Sequence, residues 1–199
     1  MPERKCHDWA NRVEVRIVRT PDEFAMAMAV RAAVFLAEED NITYFDEFNG
    51  NDYAASHLLG FVDGDPAGVA RLRWFPEFAL LERIGIRRRY RSYTLLKALA
   101  DNALDLCREK GYRTISGRAR SEQLVKFWQR LGGRQSGPAI QMFRGTLVPI
   151  VHDLKRRPGQ HAVPSGPFGD PDFENLIAQQ EGAWNFSSLS AEPQLEAAE

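Results

Sequence analysis

Residues 57–76, HLLGFVDGDPAGVARLRWFP, constrain the fold of this chain more than any other stretch. Two apolar runs, 57–62 and 67–75, flank Asp63-Gly64-Asp65-Pro66, and Gly64 can take the positive φ that a tight turn demands. The two runs are therefore expected to pair as an antiparallel hairpin. Other segments fall into order around it. VEVRIVR at 13–19 alternates apolar and charged residues, the signature of a half-buried strand. Thr20-Pro21, followed by Asp22 and Glu23, starts a long helix through EFAMAMAVRAAVFLAEED, with an N-cap, a first-turn proline and acids where the dipole favours them. DNITYFDEFNGNDYAAS reads as an ordered acidic, aromatic loop. FALLERIGI is a strand. Residues 94–109 place Leu95, Leu96, Leu99, Ala103, Leu104 and Leu106 on one helical stripe, ended by Lys110-Gly111. YRTISGRA is a short strand, SEQLVKFWQRLGG a capped helix with a glycine stop, and IQMFRGTLVPIV one or two final strands.

A meander followed by strand–helix–strand implies an α/β (mixed α+β) domain with one mixed sheet and helices on both faces. That domain is expected at 13–154, behind an N-terminal extension at 1–12. From 155 to 199 the composition turns to Pro, Gly and charge, which suggests a surface tail with a short helix near 172–182.

Bulk properties exclude several function classes. The formal net charge of −1 gives the whole molecule no pull toward nucleic acid or an anionic membrane. Cys6 and Cys107 lie far apart, and no Cys or His spacing suggests a metal site. The charged N-terminus lacks an apolar run, and no segment approaches about 18 consecutive apolar residues. Neither a secretory signal nor a transmembrane helix is expected, and a reducing cytoplasm is the expected location.

The stretch IRRRYRSYTLLKAL, residues 86–99, joins strand to helix as phosphate-binding loops do, yet contains no glycine. Arginines at 87, 88, 89 and 91 oppose the helix dipole, an arrangement that an anion would relieve. Guanidinium groups pair with phosphate bidentately, so charge could compensate for the absent glycines. A solvated basic turn is the other reading of the same residues.

RIGIRRRYRSYTLLKAL resembles the strand, pyrophosphate loop and helix of the GNAT superfamily of acyl-CoA-dependent N-acyltransferases. Tyr90-Arg91 match the pair that opens that loop. SEQLVKFWQRLGG is similar to the family's late helix: Phe127 and Gly132 fit, while Ser121, Leu124, Trp128 and Gly133 replace the usual residues. VRAAVFLAEED with FDEFNGNDYAASHLLG resembles the ElaA-like branch and the acyl-homoserine-lactone synthases.

The resemblance implies a single GNAT-like domain whose central, mostly antiparallel sheet has splayed strands. It implies acetyl-CoA or another acyl-CoA as co-substrate, no metal, and a small-molecule or peptide amine as acceptor. The donor would lie along Ile84, Gly85 and Ile86, with its pyrophosphate on the helix start at Arg91, Ser92, Tyr93, Thr94, Leu95 and Leu96. Ser121 and Trp128 would complete the donor pocket. Glu82, expected to share the strand face of Ile84 and Ile86, could accept an ammonium proton; an ion pair with a neighbouring arginine is equally open. Trp128 stands where the family has a proton-donating tyrosine, and indole cannot serve as that acid, so Tyr93, Tyr44 or water would have to serve, or the thiolate leaves unassisted. Glu38, Glu47 and Asp52, among the loop aromatics, are expected to bind a cationic amine. A solvated acidic loop is the alternative, with Arg31 as its structural partner. An acyl-carrier-protein-dependent synthase and a non-catalytic CoA-binding module share the same fold, and an acyl carrier protein or a homodimer partner stays open.

Overall fold

A computed structural model describes residues 12–155 of the 199, except 41, 143 and 144. The expected tail helix, and the terminal extensions beyond Arg12 and Lys155, lie outside the described residues. The hairpin forms as read: β2 (Ser56–Val62) pairs antiparallel with β3 (Asp65–Trp74) across a turn in which Gly64 has φ +80°. β1 (Val13–Ile17) adds to β2, and β4 (Ala79–Ile86) adds to β3, all antiparallel. β5 (Thr114–Ala119) joins β4 in parallel, and β8 (Gly145–Asp153) closes on β5 in the antiparallel sense. The short β6 (Arg134–Gln135) and β7 (Ile140–Met142) pair with β8, and the main order is β1-β2-β3-β4-β5-β8-β6.

Helices cover both faces. On one face α3 (Tyr93–Glu109) and α4 (Glu122–Arg130) bury Leu95, Leu99, Ala103, Leu104 and Phe127 against Leu58, Ala70, Leu72, Leu81 and Ile115. On the other, α1 (Pro21–Ala32) packs Ala27 and Val30 onto Leu59, Phe61 and Val69. Burying a Leu or Val side chain in this way contributes roughly 1.5–3 kcal/mol. Thr20 and Glu23 form a reciprocal capping box at the start of α1.

Two details of this frame place the site. The helix read as continuous to residue 40 changes pitch at Ala33–Glu38, where the hydrogen bonds widen to the π pattern, as in Glu39 N–H to Val34 O at 2.9 Å. Such insertions recur at functional sites. The other detail concerns close approach. Gly60 and Gly68 face each other across β2 and β3, and a Cβ on Gly60 would stand 2.8 Å from Leu95 Cδ1. The glycines missing from the loop before α3 lie beneath it, where they let the start of the helix sit directly on the sheet.

Candidate active site

Pairing between β4 and β5 covers only Ala79–Ile115, Leu80–Ser116 and Leu81–Gly117. Beyond Leu81 the strands part, and the backbone of 82–86 has no strand on its β5 side. A cavity of about 730 Å³ fills the opening. Leu80 to Ile86, Ser116 to Arg118, Leu96, Leu124, Trp128 and His152 form its walls, and Arg91, Ser92 and Tyr93 form its mouth.

The first turn of α3 opens there. Ser92 is its N-cap: the hydroxyl oxygen accepts the Leu95 N–H at 3.2 Å, a contact typically worth about 1 kcal/mol. The Tyr93 and Thr94 amides have no intrahelical acceptor and stand at the positive end of the dipole. Of the residues expected to hold a donor, the structure brings Ile84, Gly85, Ile86, Arg91, Ser92, Tyr93, Leu96 and Trp128 to one cavity. Leu95 is buried in the core and Thr94 is exposed. Ser121 does not line the cavity; it caps α4 by accepting the Leu124 N–H at 3.3 Å.

The basic turn differs from its sequence reading, because its arginines already have acidic or carbonyl partners. Arg87 and Arg89 both pair with Asp65 of the hairpin turn, and Tyr90 donates its hydroxyl to the same carboxylate. That hydrogen bond, with the two guanidiniums, holds the Asp65 carboxyl below its usual range. Arg88 donates its amide to the Glu38 carboxylate at 2.7 Å, and its guanidinium to the Glu38 carbonyl. Arg91 reaches Glu39 at 2.7 Å and the Ile86 carbonyl at 3.1 Å. The charge of Arg87, Arg88 and Arg89 is answered away from the cavity, and only Arg91, 44% exposed, also lines it, so any anion at this turn relies on the backbone amides together with Arg91.

The acidic loop is corrected more sharply. Two of its acids, Glu47 and Asp52, are inside and its aromatics outside: Phe45 is 90% exposed and Tyr53 80%, whereas Glu47 is fully buried and Asp46 stays exposed. Inside the loop, α2 (Tyr44–Glu47) is capped by Thr43. Arg31, also fully buried, donates to Glu47 Oε1 at 2.5 Å and to Asp52. Arg71 bridges Asp52 at 2.7 Å and Glu82 Oε1 at 2.7 Å, and Arg83 completes the array at 2.9 Å from Glu47. Burial alone would raise the Asp52 carboxyl, but Arg31 and Arg71 outweigh it and hold it below the ordinary value. None of Glu38, Glu47 and Asp52 lines the cavity: buried guanidiniums hold Glu47 and Asp52, and Glu38 accepts the Arg88 amide. The structural role read for Arg31 is the one observed. His57 is a buried strand-end residue that shares a hydrogen bond with the Asp52 carbonyl.

Glu82 also departs from expectation. Arg83 has φ +53°, and the β3–β4 register shifts between Val69–Gly85 and Arg71–Glu82. This bulge reverses the alternation, as bulges do. Glu82 therefore faces the α1 side with its register partner Arg71, while Ile84 and Ile86 pack toward α3. Both Arg71 contacts fall on Glu82 Oε1, and the residue still lines the cavity with 20% of its side chain exposed.

Several lining residues carried no sequence signal. His152 reaches the cavity only because β8 pairs with β5, which sets it opposite Ile115 and edge-on to Trp128 at 5.6 Å. Its Nε2 is buried without a hydrogen-bond partner, and burial pushes its pKa down. Phe35 and Glu39 arrive through the π-helical turn. Arg118 was accessible in principle, from the alternation of TISGRA.

Comparison with known proteins agrees with this geometry. The model of the acetyltransferase (GNAT) family matches residues 22–132. YyaT of Bacillus subtilis is 29% identical over 122 residues, covering 60% of this chain and 82% of that protein. Escherichia coli ElaA shares the fold at TM-score 0.63 and 18% identity, over 71% of this chain and 99% of ElaA. A GNAT family acetyltransferase of Elizabethkingia anophelis, solved with acetyl-CoA bound, has TM-score 0.53 at 11% identity, over 72% and 99% of the two chains.

Proposed function

Since the chain belongs to the acetyltransferase (GNAT) family, we propose that it transfers an acyl group from an acyl-CoA to an amine, in the opening between β4 and β5. The observation that carries this reading is the cavity itself: an unpaired strand edge at 82–86 runs directly to the free amides of a helix N-terminus. An extended pantetheine arm can pair with such an edge, and a pyrophosphate suits such amides. The acetyl-CoA bound to the Elizabethkingia anophelis protein supports the same choice of donor.

The residues fit the donor. Leu96, Leu124 and Trp128 offer apolar walls, and the Tyr93 and Thr94 amides offer donors to phosphate. When bound, the thioester supplies an activated acyl carbon. Glu82 takes the proton from the acceptor's ammonium group; the nitrogen lone pair then forms the C–N bond as the C–S bond breaks. Tyr93, at the cavity mouth and edge-on to Phe127 at 5.9 Å, is the side chain placed to return a proton to the thiolate.

The test is a calorimetric titration with CoA and acetyl-CoA, followed by thiol release over an amine panel. Glu82→Gln should lower kcat by about 10²–10⁴ with unchanged donor affinity. Arg91→Ala should instead weaken donor binding. Equal small effects from both would overturn the assignment of the site.

A further inference from the structure

The charge inventory of the site points to its acceptor, given the transferase reading above. Glu47, Asp52 and Glu82 are matched by Arg31, Arg71 and Arg83, with Arg73 a further cation 4.0 Å from Glu82, so the buried array has no spare negative charge. On the cavity wall Glu39 pairs with Arg91 and Glu82 with Arg71. Two lining arginines, Arg118 and Arg120, have no ion pair among the described residues. Among the described residues the rim thus carries uncompensated positive charge, the reverse of what the acidic loop sequence suggests.

Strand register places one of these charges closely. Leu81 is paired with Gly117, so Glu82 and Arg118 occupy the next row, at the point where the strands begin to part. Ile115 and Ala119 pack into the core beneath α3 and α4, so Arg118, between them in alternation, faces the α1 side. Glu82 faces that side too, beside Arg71. Neighbouring strands lie about 4.8 Å apart where they pair. A carboxylate and an unpaired guanidinium therefore stand on adjacent strands of one cavity, within reach of a single small molecule.

We infer that the acceptor is a primary amine carrying its own compact anionic group, a carboxylate or a phosphate, which Arg118 binds while Glu82 faces the ammonium. Guanidinium binds either anion bidentately, and the uncompensated charge of Arg118 and Arg120 repels polyamines.

Matched acceptor pairs test this, with acetyl-CoA as donor and thiol release as readout: glycine against glycinamide, phenylalanine against its amide, phosphoethanolamine against ethanolamine, and spermidine alone. The anionic member should have a kcat/KM about tenfold or more above its partner, as expected for one charge-assisted contact. Whether the amino acids or phosphoethanolamine show it identifies the anion. Arg118→Gln should erase that ratio, chiefly through KM, and Arg118→Glu should turn the preference toward spermidine. CoA affinity, measured by calorimetry, should be the same in wild type and Arg118→Gln. No discrimination in wild type, or a preference for spermidine, overturns the proposal. So does a loss of CoA affinity in Arg118→Gln as large as the loss of acceptor, because the guanidinium then serves the donor phosphates. CoA binding without turnover of any pair overturns the acceptor proposal alone. Absence of CoA binding removes the transferase reading and this proposal with it.

Discussion

Replacing Arg31 by methionine removes one cation from the centre of the buried array and keeps an unbranched stem of similar reach. Arg31 is fully buried, donates to Glu47 and Asp52, and also holds the Glu47 carbonyl at 3.0 Å. After the substitution Glu47 keeps Arg83 and Asp52 keeps Arg71, but both carboxylates lose the one fully buried cation between them, and Arg73 reaches only Glu82, at 4.0 Å. Breaking a buried pair by deleting one partner costs about 3–5 kcal/mol, whereas an exposed pair contributes about 0–1 kcal/mol. For a chain of 199 residues each kcal/mol moves the melting temperature by about 2–4 °C, so a fall of about 6–20 °C is expected. Differential scanning fluorimetry of wild type, Arg31→Met and Arg31→Met/Glu47→Gln measures it. The double variant removes one of the two buried carboxylates that lost Arg31 and should recover part of the loss. A fall below about 2 °C would refute the reasoning, since it would mean that the array is solvated and its acids free.

Other consequences follow from the same contacts. Glu82→Gln should separate from Arg91→Ala, the first acting on turnover and the second on donor affinity, by thiol release and calorimetry on one preparation. His57 and His152 are buried, and burial lowers both pKa values from the ordinary 6.5. Below pH 6.5 the unfolded chain binds protons that the folded chain does not, so their contribution to stability is complete above that pH and is lost as pH falls toward the folded values. Melting temperature should therefore decline from pH 7.5 to pH 5 at fixed ionic strength, and His57→Gln/His152→Gln should flatten the decline if the variant folds. Cys107 is buried and its thiol is pushed up to about 12, so iodoacetamide should label it in peptide maps only after denaturation.

Local grammar carried much of the fold: the Gly64 turn, the Thr20-Pro21 helix start and the leucine stripe of α3 each obey a rule confined to a few residues. What lay between elements was less legible. The π-helical widening at Ala33–Glu38 and the bulge at Arg83 leave no distinct mark in composition, and the second inverts the face of Glu82. Charged residues look solvent-facing or ligand-facing in the sequence because their partners are distant along the chain. Arg71 lies 19 residues from Asp52, and Arg89 24 residues from Asp65. Only the assembled sheet brings them together. For the same reason the acidic loop suggests a cationic substrate, although Glu47 and Asp52 serve the interior. The donor side was more visible, since a strand edge and a helix start are backbone features that a continuous segment specifies.

Hydrogen exchange with and without acetyl-CoA tests the central claim most directly, because it reads the backbone amides on which the donor is proposed to lie. Protection should appear at residues 82–86 and across the first turn of α3, at 92–96, with little change in β1 or β2. Unchanged exchange in both segments at saturating acetyl-CoA, or protection confined to other strands, would contradict the account.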